Sequence, residues 1–299
     1  MPGSFLVHRL RDQTYWLYLP GPPDPDQPLP LIVMLHGCAQ TAVEFAQGTR
    51  MNQHAQQQGC AVLYPEQDRH RNSMRCWNWF EPQTLAGRAD ADLIVRTVQE
   101  VTARQVIDPT RIYLVGFSAG AAMAAVLCTT HAPLFAGCAM HSGLMAQVAG
   151  NLQQAAQLMR RGADEQALAQ SVRQIVTRRA DGAHTVPTLA IHGSIDNIVN
   201  PINAQQLLGQ FRAVASQVTS PGAAPVCSRE RWIEDAGRPY RQHDLLSGTT
   251  LLLRTILIEG LGHAWSGGDP RHEYFDASGP DATALSLQFL LARRLNGAG

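Results

Sequence analysis

At 299 residues the chain can build one large α/β domain or two smaller ones, and either buries a sizeable core. Its 24 acidic and 24 basic residues cancel, so no charge excess points to nucleic acid or to an anionic membrane. Every basic residue is Arg, which excludes a lysine Schiff base, a Ser–Lys dyad and a P-loop lysine.

Residues 5–10 and 14–19 are short apolar runs around Arg11-Asp12-Gln13, the pattern of an opening hairpin. Residues 21–30 hold five Pro and two Asp and predict a stiff surface connection. Leu31-Ile32-Val33-Met34-Leu35 is a continuous apolar run, as expected of a central strand, and ends in His36-Gly37-Cys38-Ala39-Gln40. Residues 42–58 are expected to be helical in part, 61–64 a strand, and 68–82 a long polar, Trp-rich loop. Leu93, Ile94, Val98 and Val101 recur at helical spacing within residues 87–104. Residues 112–159 lack Asp, Glu, Arg and Lys, but Gly, Ser, Pro and Asn interrupt them, so they read as a buried sheet and its covering helix rather than a membrane span. Beyond a strand at 135–140, residues 147–179 predict two helices broken at Gly162, either a cap or a crossover layer. A strand at 188–192, a helix at 203–218, a loop at 220–225, a strand at 249–258 and a helix at 281–295 complete the chain. Strands alternating with helices predict a mostly parallel sheet covered on both faces, in a single domain over residues 1–299.

Gly116-Phe117-Ser118-Ala119-Gly120 fits the G-x-S-x-G nucleophile elbow. Its flanks supply the required context, a β-branched and aromatic run from Arg111 to Val115 and a run of helix formers from Ala121 to Leu127. A serine hydroxyl needs an imidazole to take its proton and a carboxylate to orient that imidazole, in the chain order Ser, acid, His. Asp196, after the strand at 188–192, and His263, after the strand at 249–258, meet that order. Asp181 precedes its strand and would lie at the wrong end of the sheet; Asp235 and Asp244 sit in a polar stretch and read as solvated surface. His192 reads as a packed core histidine, His141 as packed or lining the site, and His243 and His272 as loop residues. The oxyanion donors are expected to be the backbone N–H groups of Ala119 and Cys38. There is no H-E-x-x-H and no Cys pair of zinc-finger spacing, so no metal site is expected, and no Gly-rich phosphate loop occurs.

With these residues in view, the chain resembles the polyhydroxybutyrate (PHB) depolymerase-type esterases, a group related to feruloyl and acetylxylan esterases. The resemblance rests on Leu35-His36-Gly37-Cys38-Ala39-Gln40, Tyr64-Pro65-Glu66-Gln67, Cys76-Trp77-Asn78-Trp79-Phe80, the elbow, His192-Gly193-Ser194-Ile195-Asp196 and Gly260-Leu261-Gly262-His263-Ala264-Trp265-Ser266-Gly267-Gly268. It implies an α/β-hydrolase fold, no cofactor, a Ser118–Asp196–His263 triad, and a substrate groove to which Gln40, Trp77, Trp79 and Trp265 contribute. Packing inward is the alternative for the three tryptophans. The expected partner is a small ester or oligoester, with no nucleic acid, membrane or protein partner implied. Feruloyl or acetylxylan esterase and acyltransferase are the alternatives to a depolymerase-like hydrolase. Cys38 and Cys76 are expected to be bonded, tying the Trp loop to the oxyanion strand; two buried free thiols are the alternative, and no pairing is assigned to Cys60, Cys128, Cys138 or Cys227. The family favours an extracellular or periplasmic setting. Met1-Pro2-Gly3-Ser4 lacks the basic start and apolar core of a leader, so either the protein is not exported, which would place it in the cytoplasm, or a leader is missing from this numbering. The chain also carries no visible linker or polymer-binding domain.

Overall fold

The computed structural model describes residues 3–22, 24–179, 185–218, 226–234 and 237–295. The opening hairpin is β1 (Ser4–Leu10) and β2 (Gln13–Leu19), followed by β3 (Leu29–Leu35). Next come α1 (Ala42–Thr49), α2 (Met51–Gln58) and β4 (Ala61–Pro65). Thr41 and Glu44 form a capping box that starts α1 directly after the His36-Gly37 turn. A long irregular loop then leads into the short α3 (Pro82–Leu85) and α4 (Asp90–Arg104). The central β5 (Ile107–Phe117), α5 (Ala119–Thr130) and β6 (Gly137–His141) follow. Two helices, α6 (Leu152–Arg161) and α7 (Glu165–Arg179), precede β7 (Thr188–Gly193) and α8 (Ile202–Val218). The chain continues through β8 (Val226–Ile233), β9 (Tyr240–Ser247), β10 (Thr250–Ile258), the short β11 (Trp265–Ser266) and β12 (Phe275–Asp276), and α9 (Ala282–Leu291).

Among the described residues the main sheet has ten strands in the order β1-β2-β4-β3-β5-β6-β7-β10-β9-β8. The run from β4 to β10 is parallel, and the pairs β1–β2, β2–β4, β10–β9 and β9–β8 are antiparallel. Strand β3 shows why its sequence is apolar throughout. Leu31, Val33 and Leu35 enter the core on one face, and Ile32 and Met34 enter the core on the other. Helix α5 is apolar all round for the same reason, with residues Ala119 to Cys128 buried. Among the described residues no helix is long and apolar enough to cross a membrane.

Two readings need correction. The stretch holding Asp244 and His243 is strand β9, not loop, and Asp244 is buried. Its carboxylate takes Arg254 Nε and Nη2 from the facing position of β10 at 2.7 and 2.8 Å, so a bidentate pair across two strands replaces solvation. Strands β8 and β9 escaped detection because β8 is an edge whose polar residues face water and break the apolar run. Asp181, Asp235 and the loop at 220–225 lie outside the described residues.

Candidate active site

Strand β5 ends at Phe117 and α5 begins at Ala119, so Ser118 alone makes the turn, at φ 54° and ψ −118°. A side chain at that φ is strained, and such strain recurs where a nucleophile must be presented. Close packing keeps the turn tight. A Cβ on Gly116 would lie 2.3 Å from the Gly120 carbonyl oxygen, and one on Gly120 would lie 2.0 Å from that of Leu35. The Ser118 N–H donates to His141 O at 2.9 Å, fixing the turn to the end of β6.

The acid and base arrive from the ends of β7 and β10, which are paired in parallel with Ile258 opposite Gly193. With Nδ1 protonated, His263 donates to Asp196 Oδ2 at 2.8 Å, and its Nε2 accepts from Ser118 Oγ–H at 3.0 Å. Asp196 Oδ1 accepts the N–H groups of Ile198 and Val199 at 3.0 and 2.8 Å, so the carboxylate cannot swing away. Burial pushes the Asp196 carboxyl up. The hydrogen bond from His263, the charges of His263 and His192 and the Val199 N–H outweigh it and hold the carboxyl below its ordinary value. His263 packs against the Phe117 ring at 5.0 Å and meets the Tyr274 ring edge-on at 6.1 Å.

The turn after β3 sits beside the elbow because Leu35 pairs with Gly116. Among the described residues the N–H groups of Cys38 and Ala119 donate to no protein acceptor, whereas those of Gly37, Ala39 and Ser118 are tied. Gly37 N–H donates to Gln40 Oε1 at 2.9 Å, and Ala39 N–H donates to Met74 O at 2.7 Å. Cys38 is joined by a disulfide to Cys76 of the Trp-rich loop. Beneath the turn, Gln67 N–H donates to His36 Nε2 at 3.1 Å, which leaves Nδ1–H to donate to Gly37 O at 2.8 Å. Both ring nitrogens are thus used by a neutral imidazole, and burial holds the His36 pKa below the ordinary histidine value. Glu66 accepts the Ala42 N–H at 3.0 Å and pairs with Arg75 at 2.7 Å; Gln67 donates to buried Asp90 at 2.6 Å, as does Asn78 N–H at 2.9 Å. The Tyr64–Gln67 and Cys76–Phe80 motifs are therefore the scaffold of the turn after β3.

That scaffold explains the tryptophans. Trp77, Trp79 and Trp265 are 0, 5 and 1 % exposed, so the expectation of three rings walling a groove is corrected to packing. Trp77 lies against His36 at 5.5 Å, and Trp79 meets Phe80 edge-on. Trp265 donates to Thr283 Oγ1 at 3.1 Å and stacks on His141 at 5.2 Å. Gln40 is also buried, and it lines a cavity with Tyr274. His141 accepts Ser266 N–H at 3.3 Å; burial and the neighbouring His192 and His263 charges push its pKa down to about 3. His192 is buried and donates from Nε2 to Val199 O at 2.7 Å, 3.5 Å from Asp196 Oδ2, so this core histidine also braces the acid turn. His272 is a loop residue. Phe117 and Tyr274, the rings against His263, were missed. Phe117 lies in the variable position of the elbow, and Tyr274 reaches the base through the β11–β12 pairing, which leaves no periodic signal. Among the described residues no group of three or more His, Cys, Asp or Glu could hold a metal ion.

The sequence profile of the family described as Esterase PHB depolymerase matches residues 13–231. Poly(3-hydroxyalkanoate) depolymerase C of Paucimonas lemoignei is 31% identical over 238 residues, which cover 78% of this chain and 54% of that protein. The chain thus spans about half the length of that depolymerase. Feruloyl esterase B of Thermothelomyces thermophilus is 28% identical over 221 residues, 69% of this chain and 75% of its own. An acetyl xylan esterase from Aspergillus awamori superposes with a TM-score of 0.69 at 20% identity, over 87% of this chain and 94% of its own, a likeness of α/β-hydrolase fold. The profile match covers most of the chain, including the turn at His36–Gln40, the Gly116–Gly120 elbow and the loop of Asp196, and the chain belongs to the PHB depolymerase-type esterase family.

Proposed function

We propose that the chain is a serine carboxylic-ester hydrolase acting on hydroxyalkanoate esters or oligomers. The observation that carries this reading is the line Ser118 Oγ–His263 Nε2–His263 Nδ1–Asp196 Oδ2, at 3.0 and 2.8 Å. Ser118 attacks the ester carbonyl as His263 Nε2 takes its proton, and Asp196 stabilises the imidazolium. The N–H groups of Cys38 and Ala119 receive the oxyanion, Ala119 from the positive end of α5. His263 passes the proton to the leaving alcohol, then activates water, which releases the acid from Ser118. The match to feruloyl esterase B supports a second reading with the same chemistry and a feruloyl or acetylated-saccharide ester as substrate. Acyl transfer differs only in that an alcohol replaces water, and products formed with a competing alcohol present separate the two.

Ser118→Ala, assayed on p-nitrophenyl acetate and butyrate, should keep the wild-type melting temperature and lose at least ~10³-fold of the activity. Retention of more than about a tenth of the activity removes Ser118 from the mechanism, since triad members carry far more than that.

A further inference from the structure

Between the oxyanion turn and residues 272–275 lies a cavity of about 60 Å³, bordered by Ala39, Gln40 and Glu44 on one side and His272, Glu273 and Tyr274 on the other. Two of its lining residues contact the candidate site. Gln40 holds the Gly37 N–H next to the Cys38 donor, and Tyr274 touches the His263 ring. Gln40 is 5 % exposed, its Oε1 is occupied by Gly37 N–H, and its Nε2 is buried with no partner. A buried amide donor is ordinarily satisfied, and Gln40 borders the cavity, which puts a hydrogen-bond donor in its wall. Both walls also hold non-glycine residues in the left-handed region, Ala39 at φ 64° and Tyr274 at φ 67°. Such strain gathers at ligand clamps. The charged side chains bordering the cavity include two carboxylates and no Arg; nearby Arg271 is taken up by Asp269 at 3.0 Å. Burial and then the adjacent Glu273 charge push the Tyr274 phenol up, in keeping with an acidic wall.

We infer that this cavity is a substrate subsite in which Gln40 Nε2 donates to a second, uncharged oxygen of the ester, while Glu44 and Glu273 turn away a free carboxylate. The subsite makes the chain selective for neutral esters, either internal or capped, over molecules ending in a free acid near the scissile bond. The neutral oxygen can belong to an ester carbonyl of a hydroxyalkanoate oligomer or to a saccharide. The inference rests on the esterase reading.

The test compares kcat/KM for the dimer of 3-hydroxybutyrate as its methyl ester and as its free acid, with acetylated xylobiose and p-nitrophenyl acetate alongside. Wild type should prefer the methyl ester, and raised ionic strength should narrow the preference by screening. Glu273→Gln should narrow it too, by improving the free acid. Gln40→Glu keeps an oxygen for the Gly37 N–H but loses the donor. It should lower kcat/KM for the substrate that fills the subsite by about tenfold relative to p-nitrophenyl acetate, the worth of one hydrogen bond. A selective loss on the capped dimer assigns the oxygen to a polyester carbonyl, and a selective loss on acetylated xylobiose assigns it to a saccharide. Equal wild-type rates on methyl ester and free acid, or ratios that neither substitution moves, overturn the subsite while turnover of p-nitrophenyl acetate leaves the esterase reading standing. Failure to turn over any ester overturns both.

Discussion

Ser118 stands at a backbone angle that few side chains adopt, and the cost is met by packing around Gly116 and Gly120 rather than by its own contacts. Asp196 is held as firmly, by two backbone donors on one oxygen and His263 on the other. This arrangement predicts the outcome of Asp196→Asn. The amide keeps the shape and the Oδ1 contacts but places its NH2 donor against His263 Nδ1, which disfavours the tautomer that accepts the serine proton. Hydrolysis should fall by about 10³–10⁴-fold with little change in KM. A loss of less than tenfold would show that another group orients His263. The three residues of this line were legible because motif order and strand ends both select them. Asp244 was not, because the partner that buries it, Arg254, is placed opposite it only by the β9–β10 register.

The Trp-rich loop between β4 and α3 has no regular structure, yet it is pinned by the Cys38–Cys76 disulfide, the Ala39–Met74 bond and the Glu66 and Gln67 contacts. A cross-link spanning 38 residues removes chain entropy worth about 4 kcal/mol from the unfolded state. The double variant Cys38→Ala/Cys76→Ala should therefore melt several degrees lower, and its kcat should fall more than its KM rises, because the backbone donor at position 38 survives on a looser turn. An unchanged melting temperature in non-reducing buffer would contradict the bond. The sequence marked this loop by its tryptophans but not by its role. A Trp on a polar stretch reads as exposed, and only His36 and the core beneath it show why Trp77 is buried. The parallel strands were legible as apolar runs, because they are covered on both faces. Strands β8 and β9 were not, because β8 has polar, exposed residues and β9 turns the charge of Asp244 inward to Arg254.

Across the whole molecule, the sheet carries three buried histidines at its catalytic end. Burial lowers the pKa of His36, His141 and His192, to about 3 in the case of His141. In the unfolded chain each titrates near ~6.5. Below that value the unfolded state takes up protons that the folded state refuses. Stability is therefore full above pH ~6.5 and declines as the pH falls toward the folded values, by up to about 1.4 kcal/mol per pH unit for each histidine. Asp196 acts in the same sense at lower pH, its contribution being lost as the pH falls through its depressed value. The melting temperature should fall steadily from pH 7 to 5, and the slope should be shallower in His141→Gln; an identical slope in the two proteins would mean that His141 is protonated in the fold. In the proposed function, the fold delivers one activated serine to an ester carbonyl. The intact mass of the protein after exposure to a fluorophosphonate, followed by peptide mapping, tests this. A single adduct on the peptide containing Ser118 is expected in the wild type and none in Ser118→Ala. No adduct, or one that persists in Ser118→Ala, would contradict it.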